Sequence, residues 1–125
     1  MVDFKNLFSE LFELDDAMDK YSWIIDYGSN SSALGIQYRT EENLVRGCTS
    51  PLWLAKETSG NIAAWGSSSI VHGIACMICD WYNKATEDQR SGFSLNTLES
   101  LGLAPLLSMG RQNGVANLIA RIKLL

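Results

Sequence analysis

The sequence predicts an α+β domain in which a small antiparallel sheet of three strands is backed by helices. Three observations lead there. Strand-like residues are confined to the middle of the chain, helical periodicity runs on both sides of them, and one long apolar segment directly after the strands is suited to cover them. The 125 residues are 46% hydrophobic and 19% charged, the balance of a folded protein. That length accommodates one domain, residues 1–125, with a single core.

The first element places Phe4, Leu7, Phe8, Leu11 and Phe12 at the spacing of one helical face, which predicts one amphipathic helix. A second helix follows Asp16 with Ala17, Met18, Tyr21, Ile24 and Ile25 on one face, and Gly28 is expected to end it in a left-handed turn. Residues 29–40 (SNSSALGIQYRT) are rich in Ser, Asn and Gly without a clean period and are expected to form an irregular surface loop. Leu44-Val45 is expected to be a short strand. Leu52–Glu57 and Ile62–Trp65 are expected to pair as a hairpin across Thr58-Ser59-Gly60-Asn61.

The covering segment begins at Ser67-Ser68-Ser69, any of which can cap a helix, and runs through Ile70, Ile74, Ile78 and Tyr82, apolar around most of its circumference. Thr86 and Gln89 stand at capping-box spacing for a short helix ending near Gly92, and Leu95–Leu101 closed by Gly102 suggests another. The last helix is expected from about Arg111, with Val115, Leu118, Ile119 and Ile122 inward and Arg121 and Lys123 at the negative end of its dipole.

The formal charge of −4 argues against nucleic acid and anionic membranes as partners, since both are bound through excess Lys and Arg. No run of apolar residues is long enough to span a bilayer, and the amino-terminal residues lack the features of a signal peptide. Three cysteines without a framework of spaced pairs read as thiols in a reducing compartment, so a cytoplasmic location is expected. Residues 1–45 carry nine acids and three bases, whereas 46–125 carry five acids and seven bases. This asymmetry is either two solvated faces or a docking surface with an acidic and a basic half.

Cys48 is the first candidate for chemistry. It lies between Gly47 and Thr49-Ser50-Pro51, turn-forming residues that place it on an exposed loop tip, and nearby Arg46 would favour the thiolate. The bland alternative is a small buried hydrophobe. Cys76 and Cys79 form a C-x-x-C pair, but inside an apolar helix rather than at its start, which favours core packing over a redox dithiol. His72, the single histidine, stands four residues before Cys76. Together with Cys79 and Cys48 it is the only set from which a zinc site or a cysteine-hydrolase pair could be drawn. The tryptophans Trp23, Trp65 and Trp81 suit a core.

The run Arg39-Thr40-Glu41-Glu42-Asn43-Leu44-Val45-Arg46-Gly47-Cys48-Thr49-Ser50-Pro51-Leu52-Trp53-Leu54 resembles the signature of the SufE family, R-T-E-E-N-x-V-x-G-C-x-S-x-V-W, with Leu52 for the usual valine. Further matches stand in order: Lys20-Tyr21, Ile24-Ile25 and Gly28; Ile70-Val71 and Gly73; Leu107-Ser108, Arg111, Asn113 and Gly114. The resemblance covers about residues 15–124. It implies a fold similar to the IscU scaffold and a role in iron–sulfur cluster assembly.

By this resemblance Cys48 would take sulfur from the persulfide of a SufS-type cysteine desulfurase, stimulate that enzyme, and pass the sulfur to a SufBCD-type scaffold. The resemblance also implies that Arg39, Asn43, Gly47, Ser50 and Arg111 support the loop or meet the partner. Pyridoxal phosphate would belong to the desulfurase and this chain would need no cofactor or metal. It would be a carrier without independent turnover, as a monomer or weak homodimer. Ala17 replaces a family tryptophan, Gly66 and Ser67 replace acids, and Leu106 and Met109 replace a histidine and a proline of close relatives. These changes bear on the partner surface. The runner-up is an IscU-like scaffold or zinc-binding module using Cys48, His72, Cys76 and Cys79.

Overall fold

The computed structural model describes residues 3–125. Phe4–Leu7 (α1) and Ser9–Phe12 (α2) take the place of the single first helix. The break falls at Phe8, which leaves helical geometry (φ −113°, ψ 38°) and seats its ring 4.9 Å from Phe4 and 5.3 Å from Tyr27. Aromatic packing thus overrides the helical period, yet the predicted face of Phe4, Phe8 and Leu11 is still buried.

Helix α3 runs over Ala17–Asn30, started by Asp16, whose carboxylate accepts from the backbone N–H groups of Met18 and Asp19. Gly28 does not end it. Its φ is not positive, and the helix continues for two more residues. The hydroxyls of Ser29 and Ser31 and the amide of Asn30 donate to carbonyls one turn back, which prolongs the helix into the expected loop. The remaining connection is also more than a surface loop, because Leu34 is fully buried and its N–H donates to Ala64 O at 3.2 Å.

The hairpin forms as expected. Leu52–Lys56 (β1) pairs antiparallel with Ile62–Gly66 (β2), with Leu52 opposite Gly66 and Leu54 opposite Ala64. Alternation sorts the side chains: Leu52, Leu54, Ile62 and Ala64 join the main core, while Trp53, Ala55, Ala63 and Trp65 form a smaller cluster with Leu34 and Tyr38 on the opposite face. The third strand is not formed, and among the described residues the sheet has two strands. Leu44 makes only an isolated bridge to Trp53, and Val45 N–H donates to Leu52 O at 2.7 Å. A 3₁₀ turn at Glu41–Asn43 precedes this stretch and Gly47, at φ +86°, turns the chain away after it, so too few extended residues remain for a ladder.

Helix α4, Ser69–Lys84, is buried at eleven of its sixteen positions and lies between α3 on one side and β2 on the other. Gly73 brings α3 and α4 into backbone contact: a Cβ there would meet Ile24 O, and one on Gly28 would lie 2.8 Å from Gly73 Cα. The short helices Glu87–Ser91 (α5) and Leu95–Ser100 (α6) carry capping boxes at Thr86/Gln89 and Ser94/Thr97, and Gly102 adopts φ +77° after the second. The last helix, α7, spans Met109–Ile122, two residues longer at its start than expected because Ser108 caps it. Val115, Leu118, Ile119 and Ile122 are buried as the period requires. Among the described residues no helix is long and apolar enough to cross a membrane.

Candidate functional site

Cys48 rests in a loop held between α7 and the sheet. Extended backbone directs alternate carbonyls to opposite sides. Val45 therefore faces β1 while the carbonyls of Leu44 and Arg46 face α7, and the carbonyl of Glu42, in the 3₁₀ turn just before them, points to the same helix. Arg121 donates from Nη2 to Glu42 O at 3.0 Å and from Nη1 to Leu44 O at 2.6 Å, and Asn117 Nδ2 donates to Arg46 O at 2.7 Å. On the far side of the loop Ser67 N–H donates to Pro51 O at 3.0 Å, which anchors the exit to the end of β2.

Between these anchors Gly47 turns at φ +86°, a conformation that a side chain resists, and a Cβ there would strike the Asn117 amide. Cys48 then packs against α7 where Gly114 leaves space, and Thr49 packs likewise against Gly110. The thiol is partly buried, with Ser50 Oγ 3.8 Å from its sulfur. Residues 44–51 surround an open depression of about 280 Å³. The exposed Arg46 guanidinium pairs with Glu41 at 3.8 Å, a contact of little energetic weight.

Of the residues implied to support this loop, Gly47 and Ser50 adjoin the thiol. Arg39 and Asn43 act one segment earlier. Arg39 donates from Nε and Nη2 to Leu34 O and stacks 4.4 Å over the Trp65 ring, and Asn43 Nδ2 donates to Tyr38 O at 2.8 Å. Together they shape residues 34–43 over the outer face of the sheet. Arg111 lies in the first turn of α7 beside Gly110, its N–H bonded to Ser108 Oγ.

The set Cys48, His72, Cys76 and Cys79 is not brought together. His72 sits where α3, α4 and β2 meet: its Nδ1 accepts from Gly66 N–H at 3.1 Å and its Nε2 reaches Gly28 O at 3.2 Å, which selects the neutral tautomer protonated at Nε2. Burial holds its pKa below the ordinary histidine value, opposed by the Gly28 hydrogen bond and aided by the Arg39 charge. With both nitrogens engaged in the fold, His72 is not a base for Cys48.

Cys76 touches His72 Nε2 at 3.6 Å, but it is buried, and burial followed by the nearby Asp80 charge pushes its pKa up to about 12. Cys79 is fully enclosed, and burial, then Cys76 and Asp80, push its pKa well above the ordinary thiol range. Both are therefore protonated packing residues at neutral pH, which disfavours the redox-dithiol reading. Among the described residues no group of three His, Cys, Asp or Glu side chains is placed to hold a metal ion.

Sequence reading missed Asn117 altogether and took Arg121 only as a dipole partner. A signal was present: Gly110, Gly114, Asn117 and Arg121 follow i, i+4, i+7, i+11 spacing, a second face of α7 made of small and donor side chains.

Comparison with known proteins finds relatives over nearly the whole chain. An uncharacterized SufE-like protein of Rhizobium etli is 29% identical over 131 residues, covering 98% of this chain and 88% of that protein. Another, from Rhizobium meliloti, is 30% identical over 132 residues, covering 98% of this chain and 94% of its own. The family model described as "SufE: Fe-S metabolism associated domain" matches residues 5–125, and the chain belongs to the SufE family.

Proposed function

We propose that this protein is a sulfur carrier for iron–sulfur cluster assembly, taking persulfide sulfur from a cysteine desulfurase onto Cys48. The observation that carries this reading is the contrast among its three thiols. Cys76 and Cys79 are buried and held protonated, whereas Cys48 lies at the surface on a turn anchored at both ends.

In the transfer, the Cys48 thiolate attacks the outer sulfur of the desulfurase persulfide. A new sulfur–sulfur bond forms at Cys48 as the donor's own sulfur–sulfur bond breaks, and the donor cysteine leaves as a thiolate. The proton on the outer sulfur travels with it. No external oxidant is required, because the acceptor thiol is oxidised as the donor persulfide is reduced. Gly47 permits the turn that carries the thiol, which is partly buried rather than on the exposed loop tip expected from sequence, Ser50 lies within reach of its sulfur, and the depression lined by residues 44–51 has room for one more sulfur atom. Arg111, next to Gly110 in the first turn of α7, is the residue we assign to contact with the docked partner.

The partner is a SufS-type desulfurase, which contributes its own pyridoxal phosphate, and the recipient is a SufBCD-type scaffold. This chain turns over only with them, in a reducing, cytoplasmic setting.

Intact-protein mass spectrometry after incubation with desulfurase, pyridoxal phosphate and free cysteine tests the reading. A gain of sulfur, reversed by reductant, is expected on the wild type and not on Cys48→Ser. Equal gain on both proteins, or none on either while the desulfurase itself is persulfidated, overturns it.

A further inference from the structure

The arrangement of residues 42–46 gives α7 a task that core packing does not require. We infer that Asn117 and Arg121 are positioning residues that hold this segment fixed, so that a docking partner displaces only residues 47–50. The inference rests on Cys48 being the sulfur acceptor.

A short segment bridged to a sheet margin normally leaves the carbonyls that face away from the sheet to water or to a neighbouring chain. Here all three outer carbonyls are taken by two side chains of one helix: Glu42 O and Leu44 O by the Arg121 fork, and Arg46 O by Asn117. The helix-dipole argument accounts for a cation near the end of α7 but not for its aim at two carbonyls 77 and 79 positions away in sequence. A planar guanidinium suits this geometry because its donors lie in a fixed fork.

The inner edge is held separately by Val45 N–H on Leu52 O, and the exit by Ser67 N–H on Pro51 O. Immobilisation therefore reaches to Arg46 from one side and resumes at Pro51 on the other. Between them lie Gly47, whose φ is positive, and the side chains of Cys48 and Thr49 seated in the Gly114 and Gly110 notches without a long-range backbone bond. Holding the approach segment in place lessens the ordering needed when Cys48 enters a partner's site. The consequence belongs to the affinity of the encounter and not to the sulfur-transfer step.

Hydrogen exchange on the full chain, together with desulfurase kinetics at varied carrier concentration, tests this. Arg121→Met is expected to speed exchange of the hydrogen-bonded amides of Leu44 and Val45 by on the order of tenfold, as loss of charge-assisted bonds releases the segment. It should raise the KM for the carrier severalfold while leaving kcat nearly unchanged, with Arg121→Lys intermediate in both. Asn117→Ala, at an exposed helical position where alanine is favourable, keeps the fold and should show a smaller change of the same kind.

Exchange at wild-type rates in both Asn117→Ala and Arg121→Met overturns the clamp. Faster exchange with unchanged KM overturns the positioning role and leaves a purely structural contact. If the wild type itself accepts no sulfur, the acceptor reading and the kinetic part of this inference fall together, whereas the exchange data still decide whether the clamp exists.

Discussion

Gly114 is buried against Cys48, and a Cβ added there would overlap the Cys48 side chain and stand 2.9 Å from its Cα. The thiol thus rests in a notch that exists because α7 carries no side chain at that point. Real Cβ contacts almost never come so near a backbone atom, so any larger residue has to lift the loop.

Gly114→Ala should reveal this seat. Alanine gains up to about 1 kcal/mol of helix propensity, but the displaced loop loses more, and a net destabilisation of about 1–2 kcal/mol in urea unfolding is expected. Cys48 should also be alkylated faster by iodoacetamide. A variant that is more stable than wild type and alkylated at the same rate would show that Cys48 does not rest on Gly114.

The crossing of α3 and α4 depends on a second pair of close approaches. Beyond its contact with Ile24 O, a Cβ on Gly73 would lie 2.7 Å from Ile24 Cγ2, so the helices must separate. Gly73→Ala is expected to cost about 2–3 kcal/mol by urea denaturation, as overpacking at a rigid contact does. Gly92 provides the comparison. A Cβ there meets nothing nearer than 3.8 Å and its φ is −84°, so Gly92→Ala should be neutral or stabilising by about 0.5 kcal/mol. Equal effects at the two sites would contradict the close crossing.

His72 should make stability depend on pH. Its pKa in the fold lies below 6.5 because burial disfavours the charged ring, and protonation of Nδ1 would also remove the acceptor for Gly66 N–H. Below pH 6.5 the unfolded chain binds the proton first, so stability falls as pH drops. The contribution is fully present above 6.5 and is lost through the interval down to the folded pKa. Urea midpoints measured from pH 7.5 to 5 should decline over this interval in the wild type and decline less in His72→Gln. A ring that titrates above 6.5 by NMR would refute the assignment.

Local signals in the chain were legible where neighbouring residues decide the outcome. The Thr58–Asn61 turn, the Thr86/Gln89 capping box and the apolar period of α4 each involve residues a few positions apart, and all appear in the structure. Gly28 was legible as a special position but not as a crossing point, because its partner lies 45 residues away. Likewise, alternation at Leu44-Val45 indicated extended backbone without indicating that only an isolated bridge would form.

What the sequence by itself determined is the α+β order, the SufE relationship and the turn that carries Cys48, since these depend on backbone sterics and on contiguous motifs. Only the tertiary structure decided where the thiol rests and what holds its loop. Cys48 lies on Gly114, and the carbonyls of Glu42, Leu44 and Arg46 meet Arg121 and Asn117, across separations of 66 to 79 residues. Such contacts have no local signature, because a side-chain donor gains a distant carbonyl only after the core has packed and brought the two segments within hydrogen-bonding distance.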